Sequence, residues 1–268
     1  MKVELSRRKW LAMAAAAARG LTGQPRQLVI DAHCHAGLGQ TMNAPYTTRN
    51  NVDVTLRHME EAGIDRTVIF PIINPTYEKA NQEIAEICGR YPGKFIGFAK
   101  HDPETEQGRI ASMLRREVGS LGLKGLKLHK LPTREILDAV AELNIPILYH
   151  AKQVSMFYMI AEEYPRVTFI MAHLGSFQSR EWAWHYEAIA IAQRYSNVYL
   201  ETSAVVAQRF LEMAVKELGA DRIVFGTDGP DSDSRLELYK IKLLRLPFAD
   251  EAKVLGGNIQ RLLPKGSV

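Results

Sequence analysis

Cysteine is scarce in this chain, and long apolar runs are missing. The two cysteines, Cys34 and Cys88, have no zinc-finger spacing and form no disulfide framework, so the sequence indicates neither a zinc finger nor a small disulfide-rich domain. No apolar run approaches the length that crosses a membrane. With 268 residues, of which 46% are hydrophobic and 24% charged, the chain is expected to be a soluble globular protein with a large core.

A basic surface for nucleic acid is missing as well. Residues 1–18 hold four cationic side chains and one carboxylate, a net charge of +3 out of the +4 of the whole chain. The remaining sequence has no long stripe of lysine and arginine. The basic isoelectric point therefore does not indicate a nucleic-acid partner.

The amino terminus resembles a bacterial export signal of the twin-arginine type. Arg7 and Arg8 are followed by Lys9, Trp10 and an alanine-rich stretch with small residues suited to cleavage. Tryptophan stands where that signal usually has phenylalanine, and the apolar region is short. We expect residues 1–27 to be a signal peptide with its lead-in and the protein to be periplasmic; the alternative is an amphipathic cap helix on a cytoplasmic protein.

From residue 28 onward, short apolar runs rich in β-branched residues alternate with longer helical patterns. This alternation is typical of repeated β/α units. The predicted strands are 28–32, 66–71, 95–99, 125–128, 145–149, 167–172, 198–202 and 222–226. The predicted helices are 52–62, 78–90, 104–121, 134–143, 156–164, 181–194, 205–218 and 234–244.

Two further absences decide between the folds that such units can form. No Gly-X-Gly-X-X-Gly follows the first strand, which argues against a doubly wound dinucleotide-binding sheet. No linker rich in Gly, Ser or Pro divides the chain. We therefore predict one α/β domain over residues 28–263, an eight-stranded (β/α)8 TIM barrel, with a short tail over 264–268.

The sequence Asp31-Ala32-His33-Cys34-His35 joins the first predicted strand. Side chains alternate along a strand, so His33 and His35 point the same way, about 7 Å apart along the backbone. Two imidazoles at that spacing can bind one metal ion, whereas Cys34 faces the other side. Alone, such a pair is weak evidence, because histidines at strand ends are often ordinary polar residues.

Other polar residues recur at the ends of the predicted strands, where a barrel builds its active site. Alternation puts Lys127 and His129 on the inner face of strand four, His150 inward with Leu148, and His173 inward with Met171. Burying these groups without partners would be costly, and a metal ion or a polar substrate would satisfy them. The residues concerned are His33, His35, Lys127, His129, His150, His173 and Asp228.

The whole set resembles the amidohydrolase superfamily, in the amidohydrolase-related branch that includes aminocarboxymuconate-semialdehyde decarboxylase. The matching motifs run in family order over nearly all of the chain after the leader. They are Asp31–His35, the strand-four sequence 125–129, the sequence 148–150, the sequence 171–175, the sequence 225–228 and the late sequence 257–263.

The resemblance implies a metal-dependent barrel enzyme. His33, His35, His150 and Asp228 would hold one divalent metal, expected to be Zn²⁺, with water in the open position; the binuclear alternative would use a carboxylated lysine at Lys127. Asp228 would accept the proton of the water, and His173 would shuttle or orient it.

The reaction is left open between two chemistries. Hydrolysis of a C–N or lactone bond of a small carboxylate-bearing substrate is the main expectation, and non-oxidative decarboxylation of an unsaturated or aromatic acid is the alternative. A metal-dependent deoxyribonuclease and a catalytically silent barrel are further alternatives. Basic residues near the strand ends favour an anionic substrate, with Lys127, His129 and Lys152 as its contacts. Related barrels often form dimers, so a homodimer is compatible with the resemblance, although no interface can be assigned.

Overall fold

The computed structural model describes residues 26–37, 50 and 52–265. The predicted export signal over 1–27 lies almost wholly outside these residues, as does most of the predicted tail over 264–268. Within the described part of the chain, no helix combines the length and the apolar character needed to cross a bilayer.

Strands and helices alternate along the described residues. The strands are β1 (Ile30–Ala36), β2 (Arg66–Pro71), β3 (Phe95–Gly97), β4 (Ala99–Lys100), β5 (Leu126–Leu128), β6 (Ile147–Tyr149), β7 (Phe169–Met171), β8 (Val198–Glu201) and β9 (Ile223–Val224). The α-helices are α1 (Val52–Ala62), α2 (Glu78–Arg90), α3 (Ile110–Gly119), α4 (Arg134–Leu143), α5 (Met156–Glu163), α6 (Trp182–Arg194), α7 (Gln208–Leu218), α8 (Ser234–Leu243), α9 (Phe248–Ala252) and α10 (Asn258–Leu262). A π-helical stretch, Lys253–Gly257, joins α9 to α10.

All neighbouring strands pair in parallel, in chain order, as β1 to β3 and β4 to β9. The two groups are continuous, because β3 and β4 are separated only by Phe98, whose N–H donates to Ile69 O at 2.9 Å. The circle closes where Ala32 N–H donates to Phe225 O at 3.0 Å and Cys34 bridges Gly229. The predicted eight-stranded barrel is confirmed.

Most predicted elements begin and end within three residues of where the periodicity puts them, and two boundaries differ by more. The strand β1 continues to Ala36, so His33 and His35 lie within it. The helix α3 begins at Ile110, not at 104, because residues 103–109 form turns. A proline at 103 and the carboxylate of Glu106, which accepts from Tyr77 N–H and Asp102 N–H, hold that segment in a non-helical path.

The core has two layers. The larger layer packs the outer face of the sheet against the helices and includes Leu126 and Leu128. The smaller layer fills the barrel interior and includes Phe70, Leu148 and Ile170. Its remaining buried members are Ile30, Ala32, Val68, Ile96, Phe98, Ala172, Val224, Ile259 and Leu263.

The two layers test the predicted inner faces. Leu126 and Leu128 pack outward, so Lys127 lies on the inner face as predicted. Met171, however, also belongs to the outer layer, and Ile170 is the inward residue of β7. The prediction that Met171 and His173 share the inner face is therefore wrong. Its cause is that the chain leaves strand geometry after Met171, and His173 adopts a left-handed conformation with φ 59°.

Candidate metal centre

Three predicted ligands meet at the carboxyl end of the barrel. The Nε2 atoms of His33 and His35 lie 3.1 and 3.6 Å from Asp228 Oδ1. Donor atoms of these three residues all lie within 4.8 Å of one another, so one cation can reach them together. Asp228 itself has φ 57°, a left-handed backbone that costs free energy and is typical of functional sites.

Asp31 fixes the two chain segments that carry these ligands. Its Oδ1 accepts hydrogen bonds from Thr227 N–H at 2.8 Å and His33 N–H at 3.0 Å, and its Oδ2 accepts from Thr227 Oγ1 at 2.8 Å. Burial raises the pKa of the Asp31 carboxyl to about 7, although these hydrogen bonds oppose the shift. Asp31 therefore joins the first strand to the loop that presents Asp228.

Glu201, at the end of β8, is a functional residue that sequence reasoning missed. It is fully buried, and its Oε2 accepts hydrogen bonds from His33 Nδ1–H at 3.0 Å, Ser203 Oγ–H at 2.9 Å and His173 N–H at 3.1 Å. Burial raises the pKa of Glu201, but the charge and hydrogen bond of His33 outweigh it and bring the pKa to about 2.

This contact sets the tautomer of His33. With its Nδ1 proton donated to Glu201, the neutral ring of His33 offers Nε2, which lies beside Asp228, to a metal. A carboxylate behind a ligating histidine also raises the basicity of the ligand. The signal in the sequence was a glutamate within an otherwise apolar strand run, a place where a charged residue needs a buried partner.

Five imidazole rings form a closed circuit at the barrel mouth. Successive ring centroids lie 5.8 Å apart from His33 to His35, 5.8 Å to His129, 5.3 Å to His150, 4.5 Å to His173 and 4.9 Å back to His33. Burial lowers the pKa of four of them, to about 3 for His35 and His150 and well below 6.5 for His129 and His173. These four rings are therefore neutral near pH 7, the state in which imidazole binds a metal.

His33 is the exception in the circuit. Burial and the ammonium of Lys127 lower the pKa of its ring, but Asp228 and Glu201 outweigh them and raise it above its usual value of 6.5. Of the five rings in the metal-free protein, His33 is thus the one that keeps a proton to the highest pH, and a metal must displace that proton.

The donor set fits a divalent metal. Neutral imidazoles and a carboxylate are ligands that Zn²⁺ and other first-row divalent ions accept. The described residues provide no hydrogen-bond partner for the buried atoms His35 Nδ1 and His129 Nδ1. A second group of potential ligands, His33, His173 and Glu201, shares His33 with the first.

The other predicted residues take different positions. His150 lies outside both three-residue groups, although its ring contacts His173, so its role as a ligand stays a prediction. His173 donates Nδ1–H to Ser203 O at 3.1 Å, which leaves the lone pair on Nε2. Lys127 is fully buried, with Nζ 3.0 Å from His33 Nε2, whereas Lys152 is exposed on the loop after β6.

Relatives of the chain share this architecture. It is 23% identical to a curated γ-resorcylate decarboxylase of Rhizobium sp. (strain MTP-10005), over 78% of this chain and 86% of that protein. A solved 5-carboxyvanillate decarboxylase of Sphingomonas paucimobilis superposes with a TM-score of 0.72, at 15% identity, over 88% of this chain and 99% of the other.

Two further solved structures differ in the reaction that their names give. A dihydroxybenzoic acid decarboxylase of Polaromonas sp. JS666, solved with bound manganese, superposes with a TM-score of 0.70 at 19% identity, over 88% of this chain and 97% of the other. A Pseudomonas putida protein named as a putative 2-pyrone-4,6-dicarboxylic acid hydrolase superposes with a TM-score of 0.68 at 17% identity, over 89% of this chain and 98% of the other. The shared fold therefore does not identify the reaction.

A family model described as Amidohydrolase matches residues 30–265, which contain every element of the barrel and every residue of the metal centre. The chain belongs to this amidohydrolase family of metal-dependent barrel enzymes.

Proposed function

We propose that the protein is a metal-dependent, non-oxidative decarboxylase of a small aromatic carboxylic acid. The observation that carries this proposal is the buried ammonium of Lys127, 3.0 Å from the metal-facing nitrogen of His33. Burial lowers the pKa of Lys127 to about 8, although the charges of Asp228 and Glu201 oppose the shift, so an anion that joins the site would stabilise the ammonium form. A substrate carboxylate is such an anion, and the decarboxylases among the relatives support this choice over the hydrolysis that the sequence analysis put first.

The reaction sets requirements that residues of the site can meet. The bond between the ring carbon and the carboxyl carbon breaks, its electron pair stays on the ring carbon, that carbon takes one proton, and CO₂ leaves. When bound, a divalent metal supplies a Lewis acid that polarises a substrate oxygen. We assign the proton transfer to Asp228 with His173 beside it, and the orientation of the substrate to Lys127 and His129.

Burial favours this chemistry. His33, His173 and Lys127 are at most 1% exposed, so the reacting carboxylate would leave water on binding. In a site that excludes water, the charges of the surrounding residues act on the substrate more strongly than they would in water.

The metal is proposed to be a single divalent ion. The sequence predicts Zn²⁺, and the donor set also suits Mn²⁺. Metal analysis of the purified protein, followed by reloading with Zn²⁺ or Mn²⁺ in parallel, tests both points. A ratio near one metal per chain is expected; a ratio near two, with Lys127 carboxylated, would overturn the mononuclear site.

A paired product assay tests the reaction. The metal-loaded protein is incubated with 2,6-dihydroxybenzoate and 5-carboxyvanillate, and CO₂ is measured together with the phenolic product. The lactone 2-pyrone-4,6-dicarboxylate is assayed beside them, and Asp228→Asn is the inactive control. Equal amounts of CO₂ and phenol support decarboxylation, whereas hydrolysis of the lactone without CO₂ from either acid would restore the hydrolase assignment.

A further inference from the structure

Lys100 is a buried cation without a counterion close to it. Its side chain lies at the end of β4 and is 2% exposed. The residues that the structure describes offer no hydrogen-bond partner to its Nζ, which lies 5.4 Å from the centroid of the Tyr77 ring. An unpaired buried ammonium is costly, so its position calls for a ligand.

The register of the barrel directs Lys100 into the active-site mouth. Lys100 pairs with Lys127 on the adjacent strand β5. Register partners on neighbouring parallel strands present their side chains to the same face. Since Lys127 reaches His33 on the inner face, Lys100 lies beside it there, next to the metal centre.

The backbone of Lys100 is held rigidly. Asn81 on α2 donates Nδ2–H to Lys100 O at 3.1 Å and accepts Lys100 N–H on Oδ1 at 2.9 Å. The same Nδ2 contacts Glu117 Oε1 at 2.9 Å, and Glu117 Oε2 contacts His101 Nε2 at 2.8 Å. These hydrogen bonds fix the backbone of Lys100, whose Nζ makes no hydrogen bond with the described residues.

Two other cations near these strand ends, His101 and Lys130, already have carboxylate partners. His101 lies between Glu106 and Glu117, at 3.0 and 2.8 Å. Lys130 pairs with Asp102 at 2.8 Å and with Glu104. The chain segment 38–49, which follows β1, contains no aspartate or glutamate, so it has no carboxylate side chain to offer Lys100.

We propose that Lys100 binds the carboxylate of the substrate and selects for it. This inference rests on the proposed function and adds a second residue, beside Lys127, that recognises the anion. Charge leaves the carboxylate as CO₂ forms, so an ion pair to it stabilises the bound substrate more than the transition state. Lys100 is therefore a binding residue, and its loss should raise KM without lowering kcat in proportion.

Binding measurements on the metal-loaded protein test the assignment. The probes are 2,6-dihydroxybenzoate and resorcinol, which differ by the carboxylate alone, titrated calorimetrically into the wild type, Lys100→Met and Lys100→Gln. Lys94→Met is the matched control, since Lys94 is exposed just before β3, at the opposite end of the same barrel strand. Metal content and melting temperature are measured for every variant.

We expect both Lys100 variants to bind 2,6-dihydroxybenzoate about tenfold or more weakly than the wild type, since a desolvated charge pair is lost. Resorcinol affinity and metal content should be unchanged, and Lys94→Met should match the wild type. Unchanged carboxylate affinity in both Lys100 variants would overturn the inference, as would a wild type that does not prefer the carboxylate over resorcinol. If Lys100 discriminates but no acid yields CO₂, the inference stands and the proposed reaction fails.

Discussion

Replacing Glu201 by glutamine should weaken metal binding although His33, His35 and Asp228 all remain in place. In the favourable orientation, the amide oxygen takes the place of Oε2 and keeps the hydrogen bonds from His33 Nδ1–H, His173 N–H and Ser203 Oγ–H. The amide NH₂ then faces Ser203 N–H, which donates to Oε1 in the wild type. One buried hydrogen bond and the negative charge behind His33 are lost.

The magnitude follows from these two losses. A hydrogen bond to a charged group contributes about 1.5–3 kcal/mol, so the free energy of unfolding of the metal-free protein should fall by about that amount. Loss of the partner behind a metal-ligating histidine typically lowers metal affinity about 10- to 100-fold, which is about 1.4–2.7 kcal/mol.

The pH dependence separates this role from a general loss of stability. Glu201 raises the pKa of His33 in the metal-free protein. This has two opposite effects on metal affinity: the more basic nitrogen binds the metal more strongly, but it also binds the competing proton more strongly. Above the pKa of His33 only the first effect operates, and the glutamine variant should show its full deficit. As pH falls through that pKa, the wild type loses affinity earlier than the variant does, and the difference should shrink.

Competition with a chromophoric chelator between pH 5.5 and 8.5 measures the affinities. Glu237→Gln is the matched control, because Glu237 is also a buried carboxylate that accepts a backbone N–H, from Ala204, but has its ion pair with Lys240. It should lose stability and keep its metal affinity. Wild-type affinity in Glu201→Gln at every pH, or an equal and pH-independent loss in both variants, would refute the reasoning.

Three more predictions concern other parts of the chain. A Cβ added at Gly226 would overlap Glu201 Oε1 and lie 2.9 Å from His33 Cβ, so Gly226→Ala should lower metal affinity, measured by the same competition, whereas Gly89→Ala on α2 should not. Burial, with a smaller contribution from Lys127, lowers the pKa of Lys100 from 10.5 to about 7. The metal-free Lys100→Met protein should therefore have a free energy of unfolding a few kcal/mol higher than the wild type, at most about 5 kcal/mol, and should unfold at a higher urea concentration. This gain is full below pH 7 and disappears toward pH 10.5. Equal midpoints at pH 6 would contradict this. Arg7→Lys with Arg8→Lys should retain the protein in the cytoplasm, as fractionation would show; unchanged export would exclude a twin-arginine signal.

The barrel could be predicted because its signals are local. Each strand run and most helices carry their periodicity within about ten residues, and α1, β2, α2 and α4 lie where the pattern puts them. The inner position of Lys127 followed from simple alternation. The pair of His33 and His35 followed from strand alternation, and Asp228 as their co-ligand was implied by the family resemblance. The structure brings the three residues together.

What could not be predicted depends on backbone exceptions and on partners that are far apart in sequence. The left-handed backbone of His173 breaks the alternation after β7, so Met171 and His173 do not share a face and the face predicted for Met171 was wrong. Glu201 acquires its role only through His33, which lies 168 residues away. Composition also could not show that Lys100 is buried without a hydrogen-bond partner for its Nζ among the described residues, whereas Lys152 is exposed.

The closure of the barrel carries a consequence for how this enzyme keeps its metal. The first strand meets the chain after β9 through a few contacts, namely Ala32 N–H to Phe225 O, His35 N–H to Gly229 O and the Asp31 contacts to Thr227. The two sides of this seam also carry His33 and Asp228. A metal bound there would contact both sides of the seam and stabilise their pairing. Without the metal, the seam should open before the rest of the barrel, and the amide hydrogens of Ala32 and His35 should exchange faster.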